Sequence, residues 1–425
     1  MNKILTLSLF FSATFAHAAP FNGYIIKYKN FHSFATNSVV AKLGNIEKVA
    51  ETSFGTFAKF NPNQNFTGIN IQALKNNPDI EYIEPNYIIT IKNTVNPVDP
   101  NFKKQWGLYN DGRNGGGFGG GLAGEDINAT KAWAITKGSK DIKIAVIDTG
   151  VDYTHPDLVN QIDINMIEKN GKPGVDDDQN GYVDDIYGYD FANKDGDPMD
   201  GNGHGTHCAG VIGASHDGKG IAGVMADVKI VPIKFLSDKG SGESIDAVLA
   251  IEYAIKRGVK VMSNSWGGDE SENIKALEDA IRTANDNGIV FVAAAGNDSS
   301  NNDRVGSYPT NYDVPNVIAV GSHAASGSRS GFSNYGSTKV HVFAPGSNIL
   351  STTPRGRFES MSGTSMACPH VSGVVGLILS KEPNLTPQEV RERLINTSVK
   401  NGKLDNLSHS DGRVDAYRAL MNQVN

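Results

Sequence analysis

The sequence predicts an α/β fold: a doubly wound, mostly parallel sheet flanked by helices, preceded by a small α+β unit. Three observations predict it. From Asp141 onward, nearly continuous apolar runs alternate with stretches of helical period, and uninterrupted apolar strands suit a parallel sheet covered on both faces. Ionisable residues stand at the ends of such runs, where open parallel sheets gather their chemistry. The chain before residue 93 differs in charge and rhythm, and Asn93–Pro100 closes it with linker-like residues.

Taken in order, Lys3, the apolar run Ile4–Ala16 and Ala16-His17-Ala18 give residues 1–18 a charged start, a short apolar core and a small-x-small cleavage pattern. That is a secretory signal peptide, so the protein is expected to be exported and released. The run is too short to span a bilayer, and no later stretch is long and apolar enough. Residues 19–93 form the small unit. Tyr24–Tyr28 reads as a strand, Ile69–Leu74 as a short helix ended by Asn76-Asn77-Pro78, and Ile88–Ile91 as a β-rich close. Residues 94–425 form the large domain, with strands expected at Ile142–Ile147, Val228–Leu236, Val259–Met262, Ile289–Ala295 and Val317–Val320. Ile245, Val248, Leu249, Ala254 and Ile255 make the apolar stripe of one helix, and Ile274, Leu277 and Ile281 that of another. Thr386-Pro387-Gln388-Glu389 opens a third with a capping box and proline at its first position. The glycines of Gly115–Gly121 read as a surface loop, since no helix with phosphate-loop spacing follows them.

With 39% hydrophobic and 20% charged residues among 425, wholesale disorder is excluded. Residues 1–93 carry a net charge of +3 and the whole chain −7, which leaves −10 on the large domain. That excludes nucleic-acid binding by charge, and the clustering of the acid points to cations. The two cysteines, Cys208 and Cys368, read as buried thiols packed as small apolar groups, with a single disulfide as the alternative.

Three motifs carry the chemistry. Asp148 directly follows a buried strand in Ala145–Gly150. His204 lies among small residues in Asn202–Gly210. Ser365 lies in Gly363–His370, at a helix start where first-turn N–H groups have no internal partner. Singly, these read as a cap, as half of a metal pair with His207, and as a simple N-cap. Zinc needs a third ligand, and no HExxH pattern supplies one. Jointly, Asp, His and Ser in glycine-rich contexts form a nucleophilic constellation.

Ile147-Asp148-Thr149-Gly150, His204-Gly205-Thr206-His207 and Gly363-Thr364-Ser365-Met366-Ala367 resemble the three signatures of the subtilisin-like serine proteases, over roughly residues 99–420. The likeness is greatest to thermitase-like members, whose histidine motif carries a cysteine as Cys208 does here. The resemblance implies a serine endopeptidase with the triad Asp148, His204 and Ser365, acting on protein and peptide substrates with broad specificity, as a monomer. Asn297, in Ala293–Asn297, resembles the family's oxyanion residue. Ser265, Trp266 and Gly267 resemble the S1 wall, Lys239–Gly242 resembles the opposite edge, and Trp266, Ala294 and Gly296 suggest a roomy, mostly apolar pocket with Ser307 and Asp298 near its base and rim. Two rivals remain open: a silent relative that binds peptides, and a metal hydrolase using His204, His207 and Cys208.

Calcium is the expected cofactor. Asp176, Asp178 and Asn180 alternate before Gly181 like the first half of an EF-hand loop. Position 12 is Tyr187, which cannot close it, so Asp184 or Asp185 would close a shorter loop. By resemblance, Asp157, Asp99 and Asp217 match a strong calcium site. Asp190, Asp195 and Asp197 resemble another, with Met199 where a side-chain amide would sit. Residues 19–93 resemble the family's propeptide, a ferredoxin-like intramolecular inhibitor and folding aid, ending near Ile80–Tyr87. Self-cleavage is expected between Tyr87 and Asp99.

Overall fold

A computed structural model of the chain describes residues 21–36, 38–53, 55–87, 94–113, 120–267 and 273–424. The predicted signal peptide, the Ile88–Ile91 close and most of the glycine run lie outside the described residues. The chain divides into two compact units, with the division between Lys92 and Asn93.

The first unit runs β1 (Phe21–Tyr28), α1 (Phe31–Thr36), α2 (Ser38–Leu43), β2 (Gly44–Thr52), β3 (Gly55–Pro62), α3 (Gly68–Lys75) and β4 (Ile80–Tyr87). Its antiparallel sheet has the order β2-β3-β1-β4, which is the ferredoxin-like split arrangement. In β3 burial alternates, with Thr56, Ala58 and Phe60 turned inward. Ile26, Tyr28, Leu74 and Ile83 complete that core. The helix expected from Ile69 is present, but Ile69 itself is 82% exposed.

The second unit holds α4 (Ala129–Ala132), β5 (Gly138–Asp148), α5 (Met166–Lys169), β6 (Tyr189–Asp190), α6 (His204–Gly213), β7 (Asp227–Lys234), α7 (Ser244–Lys256), β8 (Val261–Asn264), α8 (Lys275–Asp286), β9 (Val290–Ala294), β10 (Val317–His323), β11 (Val342–Pro345), the hairpin β12 (Ile349–Thr353) and β13 (Arg357–Met361), α9 (Thr364–Lys381), α10 (Pro387–Thr397), β14 (Val399–Lys400), β15 (Gly412–Arg413) and α11 (Ala416–Met421). The large sheet has the order β14-β15-β11-β10-β9-β8-β5-β7-β6. Its pairings are parallel except β14 with β15. Each face has its own core. Ile144 and Val146 of β5 join the cluster that holds α6 and α9, while Ala145 and Ile147 join the one that holds α7 and α8. This two-sided burial is why the strand reads as an unbroken apolar run. From β5 the chain passes to β7 on one side and then to β8 on the other. The switch point therefore falls at the carboxyl end of β5, where Asp148 stands.

Helix α9 is buried continuously from Met366 to Leu379, as a helix between other layers must be. Gly373 and Gly376 allow it to touch its neighbours: a Cβ there would lie 2.5 Å from Val224 Cβ and 2.2 Å from Met225 Sδ. The stripe expected on α7 is misphased. Ile245 and Leu249 are exposed, and the buried face is Ala247, Ala250, Ile251, Tyr253 and Ala254. Three alanines share that face with Ile251 and Tyr253, so a stripe read mainly from the large apolar residues falls out of phase. The capping box of α10 forms as expected. Among the described residues no helix is long and apolar enough to cross a membrane.

Candidate active site

Asp148 ends β5 fully buried. Its Oδ1 lies 2.7 Å from His204 Nδ1 and also accepts the Thr149 N–H at 2.7 Å. His204 opens α6, behind Gly203 in the left-handed region (φ 108°). The glycine after the histidine is forced by crowding, because a Cβ on Gly205 would lie 2.1 Å from the Gly150 carbonyl. Burial works against a charged imidazole, but the charge of Asp148 and its hydrogen bond, with Asp200 beyond, outweigh it and hold the His204 pKa above its ordinary value.

Asp200 has no role in the sequence reading beyond ending the acidic run Asp190–Asp200. It is buried and accepts hydrogen bonds from Thr149 Oγ1, from the N–H groups of Asn202, Gly203 and Thr206, and from Thr206 Oγ1 at 2.6 Å. It thereby ties the strand that carries Asp148 to the helix that carries His204. The signal was an aspartate four residues before the histidine, at a helix N-terminus that favours negative charge.

Ser365 sits in the first turn of α9. The preceding Thr364 donates from N and Oγ1 to Asn297 Oδ1, at 2.9 and 3.0 Å. This orients the Asn297 amide and leaves Nδ2 as its donor. The Ser365 N–H has no acceptor among the described residues, while its Oγ donates to the Ser265 carbonyl at 3.1 Å. Both cysteines are free and buried, so no disulfide joins them.

Atoms of Asp148, His204 and Cys208 lie within 4.8 Å of one another. A metal there would need a thiolate, yet burial and then the Asp148 charge push the Cys208 pKa well up. His207, the other member of the expected metal pair, is turned away to the Ile349 carbonyl at 3.0 Å.

Of the residues matched to substrate binding, Trp266 packs edge-on to Phe235 at 4.9 Å. Gly242 lies against the same Phe235, whose carbonyl a Cβ would meet at 2.3 Å. Ser265 and Gly267 flank Trp266 just beyond β8. Ala294 ends β9 and is buried, and Gly296 has Ser307 Oγ 3.4 Å from where its Cβ would be. Asp298 is exposed, with its N–H on Asn334 Oδ1.

The acidic residues fall into three groups. Asp157 accepts the Ile221 N–H, Asp99 the Gly218 N–H, and Asp217 the Lys219 N–H. Asp99 Oδ2 is buried without a partner. Burial first, then the charges of Asp217 and Asp99, push the Asp157 carboxyl up to about 6. In the second group Asp176 and Asp178 meet a buried Glu168, their oxygens within 4.8 Å of one another. Neither expected closing residue joins them. Asp184 accepts from the Gly174 N–H at 2.8 Å, and Asp185 is taken up by Tyr253 Oη at 2.5 Å and by Asn165. The Asn180 amide nitrogen faces Asp178 and Asp185. Glu168 was missed because it comes from α5, upstream of the alternating run. In the third group Asp190 binds Asn193, Asp195 accepts the Asp197 N–H, and Asp197 accepts from Tyr153 Oη. Among the described residues, neither these three nor Asp99, Asp157 and Asp217 have oxygens all within 4.8 Å of one another.

A doubly wound sheet whose switch point brings a carboxylate to an imidazole, with a serine at a helix start, defines a serine peptidase of the α/β kind. The chain belongs to the subtilase family, whose profile matches residues 139–413. It is a subtilisin-like serine peptidase. It is 38% identical over 352 residues to the thermophilic serine proteinase of Bacillus sp. (strain AK1), covering 82% of this chain and 75% of that one. To thermitase of Thermoactinomyces vulgaris it is 38% identical over 297 residues, covering 70% and 94%. To subtilisin-like protease 1 of Plasmodium vivax it is 40% identical over 297 residues, covering 65% of this chain and 47%, about half, of that longer protein.

Proposed function

We propose that the protein is a secreted, calcium-dependent serine endopeptidase of broad specificity, made as a self-processing zymogen, with Asp148, His204 and Ser365 as its triad. The observation that carries the triad is the 2.7 Å contact of His204 Nδ1 with a fully buried Asp148. It fixes the tautomer that leaves Nε2 free to take a proton. The Ser365 hydroxyl leaves the Ser265 carbonyl, gives its proton to His204 Nε2 and attacks the peptide carbonyl. The imidazolium, stabilised by Asp148, returns that proton to the leaving amine, and a water repeats the sequence to release the acyl group. The Ser365 N–H and Asn297 Nδ2 donate to the oxyanion. Extended substrate lies along Ser265–Gly267 and Gly242, its side chain between Trp266, Ala294 and Gly296.

The Asp99, Asp157 and Asp217 group fits a hard cation. It offers only oxygens, one of them an orphaned buried atom, and its central carboxyl is pushed up by burial and then by the like charges of Asp217 and Asp99. Asp99, Asp157 and Asp217 would hold one calcium ion, and Glu168, Asp176 and Asp178 a second. A third at Asp190, Asp195 and Asp197 rests on resemblance alone. Bound calcium supplies neutralising charge that pins these loops.

Residues 1–18 act as the signal peptide and 19–93 as the inhibitory propeptide of the 94–425 enzyme. The β2-β3-β1-β4 sheet order of the first unit supports this reading. Intact mass after expression in calcium tests it. Wild type should lose its first unit between residues 87 and 99, and Ser365→Ala should keep it. Retention by both would overturn the zymogen reading, and equal cleavage of both would overturn self-processing.

A further inference from the structure

Helix α9 has a gap in its first turn. In an α-helix the carbonyl of residue i accepts the N–H of residue i+4. For Ser365 that residue is Pro369, which lies inside the helix and has no N–H. The Ser365 carbonyl is nonetheless not left alone. Ser265 Oγ donates to it at 2.9 Å and Cys208 Sγ at 3.4 Å. Two lone pairs therefore meet two side-chain donors from two other elements, the segment after β8 and helix α6. The link to Ser265 is reciprocal, since Ser365 Oγ donates to the Ser265 carbonyl. Both donors are shielded from water, at 5% and 1% exposure. Burial keeps Cys208 a protonated thiol, the form that can donate.

We propose that Ser265 and Cys208 are positioning residues: their donation to the carbonyl that Pro369 leaves without a helical partner sets the orientation of Ser365. Fixing that carbonyl fixes the backbone torsion of Ser365, and with it the direction in which its Cα–Cβ bond carries Oγ. The proline thus transfers control of Ser365 from its own helix to its neighbours. One of them, α6, is the helix that begins with His204. The registration of nucleophile against base then depends on α6 and α9 being tied at this carbonyl, and a helical N–H from residue 369 would compete with that tie. This inference rests on Ser365 being the nucleophile.

Its test is the kcat and KM of the calcium-loaded full-length protein, after its own processing, on a chromogenic peptide, with concentrations set by fluorophosphonate titration. Ser265→Ala should lower kcat about tenfold and leave KM within about twofold, since one hydrogen bond that orients a reacting group is lost. Cys208→Ala should lower kcat about threefold, and Cys208→Ser, which restores a donor, should recover it. In a Pro369→Ala background the helix regains its own N–H, and the added cost of Ser265→Ala should shrink to about twofold or less. An unchanged kcat in Ser265→Ala, an effect confined to KM, or the same loss in both backgrounds would overturn the proposal. Should Pro369→Ala fail to fold, equal kcat for Cys208→Ala and Cys208→Ser would overturn it instead. Activity surviving in Ser365→Ala would overturn the nucleophile itself, a different failure that this series separates.

Discussion

Helices α6 and α9 each carry one of the proposed catalytic side chains in their first turn, yet their ends are finished in opposite ways. On α6 the first N–H groups are consumed by side chains: His204 gives to Asn202 Oδ1, Gly205 to Thr149 Oγ1 and Thr206 to Asp200 Oδ2. On α9, Thr364 gives to Asn297 and Met366 to the Gly363 carbonyl, but Ser365 keeps its N–H without an acceptor among the described residues. The helix of the proposed base is closed by amide, hydroxyl and carboxylate oxygens, and the carboxylate of Asp200 also favours an imidazolium. The helix of the serine keeps one donor open at its positive end, where negative charge would develop. One chemistry thus asks two similar helix starts for opposite finishes.

The largest effects should come from the two side chains themselves. Ser365→Ala and His204→Ala should each cost about 10⁶ in kcat, the size of the loss when a subtilisin loses either residue. Asp148→Asn should cost about 10⁴ in kcat by inverting the tautomer of His204, and should shift the pH profile to lower pH. Asn297→Ala should cost about 10²–10³ in kcat with little change in KM, the magnitude known for the equivalent donor of subtilisin. An equal loss in KM would mean that Asn297 binds ground state and transition state alike.

Asp200→Asn puts an amide donor where five donors converge. Chemical denaturation should show a loss of about 2 kcal/mol, with a smaller fall in kcat than any triad change. In wild type, kcat/KM should fall as pH drops through the raised pKa of His204, with its midpoint above 6.5, because only the neutral imidazole can accept a proton.

Both helices also share an acid weakness. Burial pushes His207 on α6 and His370 on α9 down to about 4. The unfolded chain takes up these protons at about 6.5 and the folded one resists them. The stability contributed by these two neutral imidazoles should therefore be full above about pH 6.5 and decline as pH falls from there towards 4. Melting curves across that range in saturating calcium check it, and His370→Gln should flatten the slope.

The difference between the two helix starts also explains what the sequence could show. The sequence could offer Asp148, His204 and Ser365 as candidates because small residues and glycines surround them, and at His204 the local demand is plain, since a Cβ on Gly205 would meet the Gly150 carbonyl. The strands were legible because burial on both faces leaves an unbroken apolar run. Asp200 was not, because its role appears only when Thr149 and Thr206 close on it. Glu168 was hidden because a four-residue helix brings it to Asp176 and Asp178 from upstream, while alternation along the run pointed at Asp184 and Asp185. The buried face of α7 was misread because Ala247, Ala250 and Ala254 lie on it beside Ile251 and Tyr253, while Ile245 and Leu249 face outward. Sequence pattern reports local demands well, and convergence from separate segments poorly.

The most direct test of the account is the site of covalent capture by a fluorophosphonate, read by peptide mass mapping at pH 8 in calcium. The account predicts one adduct per chain, on Ser365, absent from Ser365→Ala and strongly slowed in His204→Ala. An adduct on another residue, or labelling that is indifferent to His204, would contradict it.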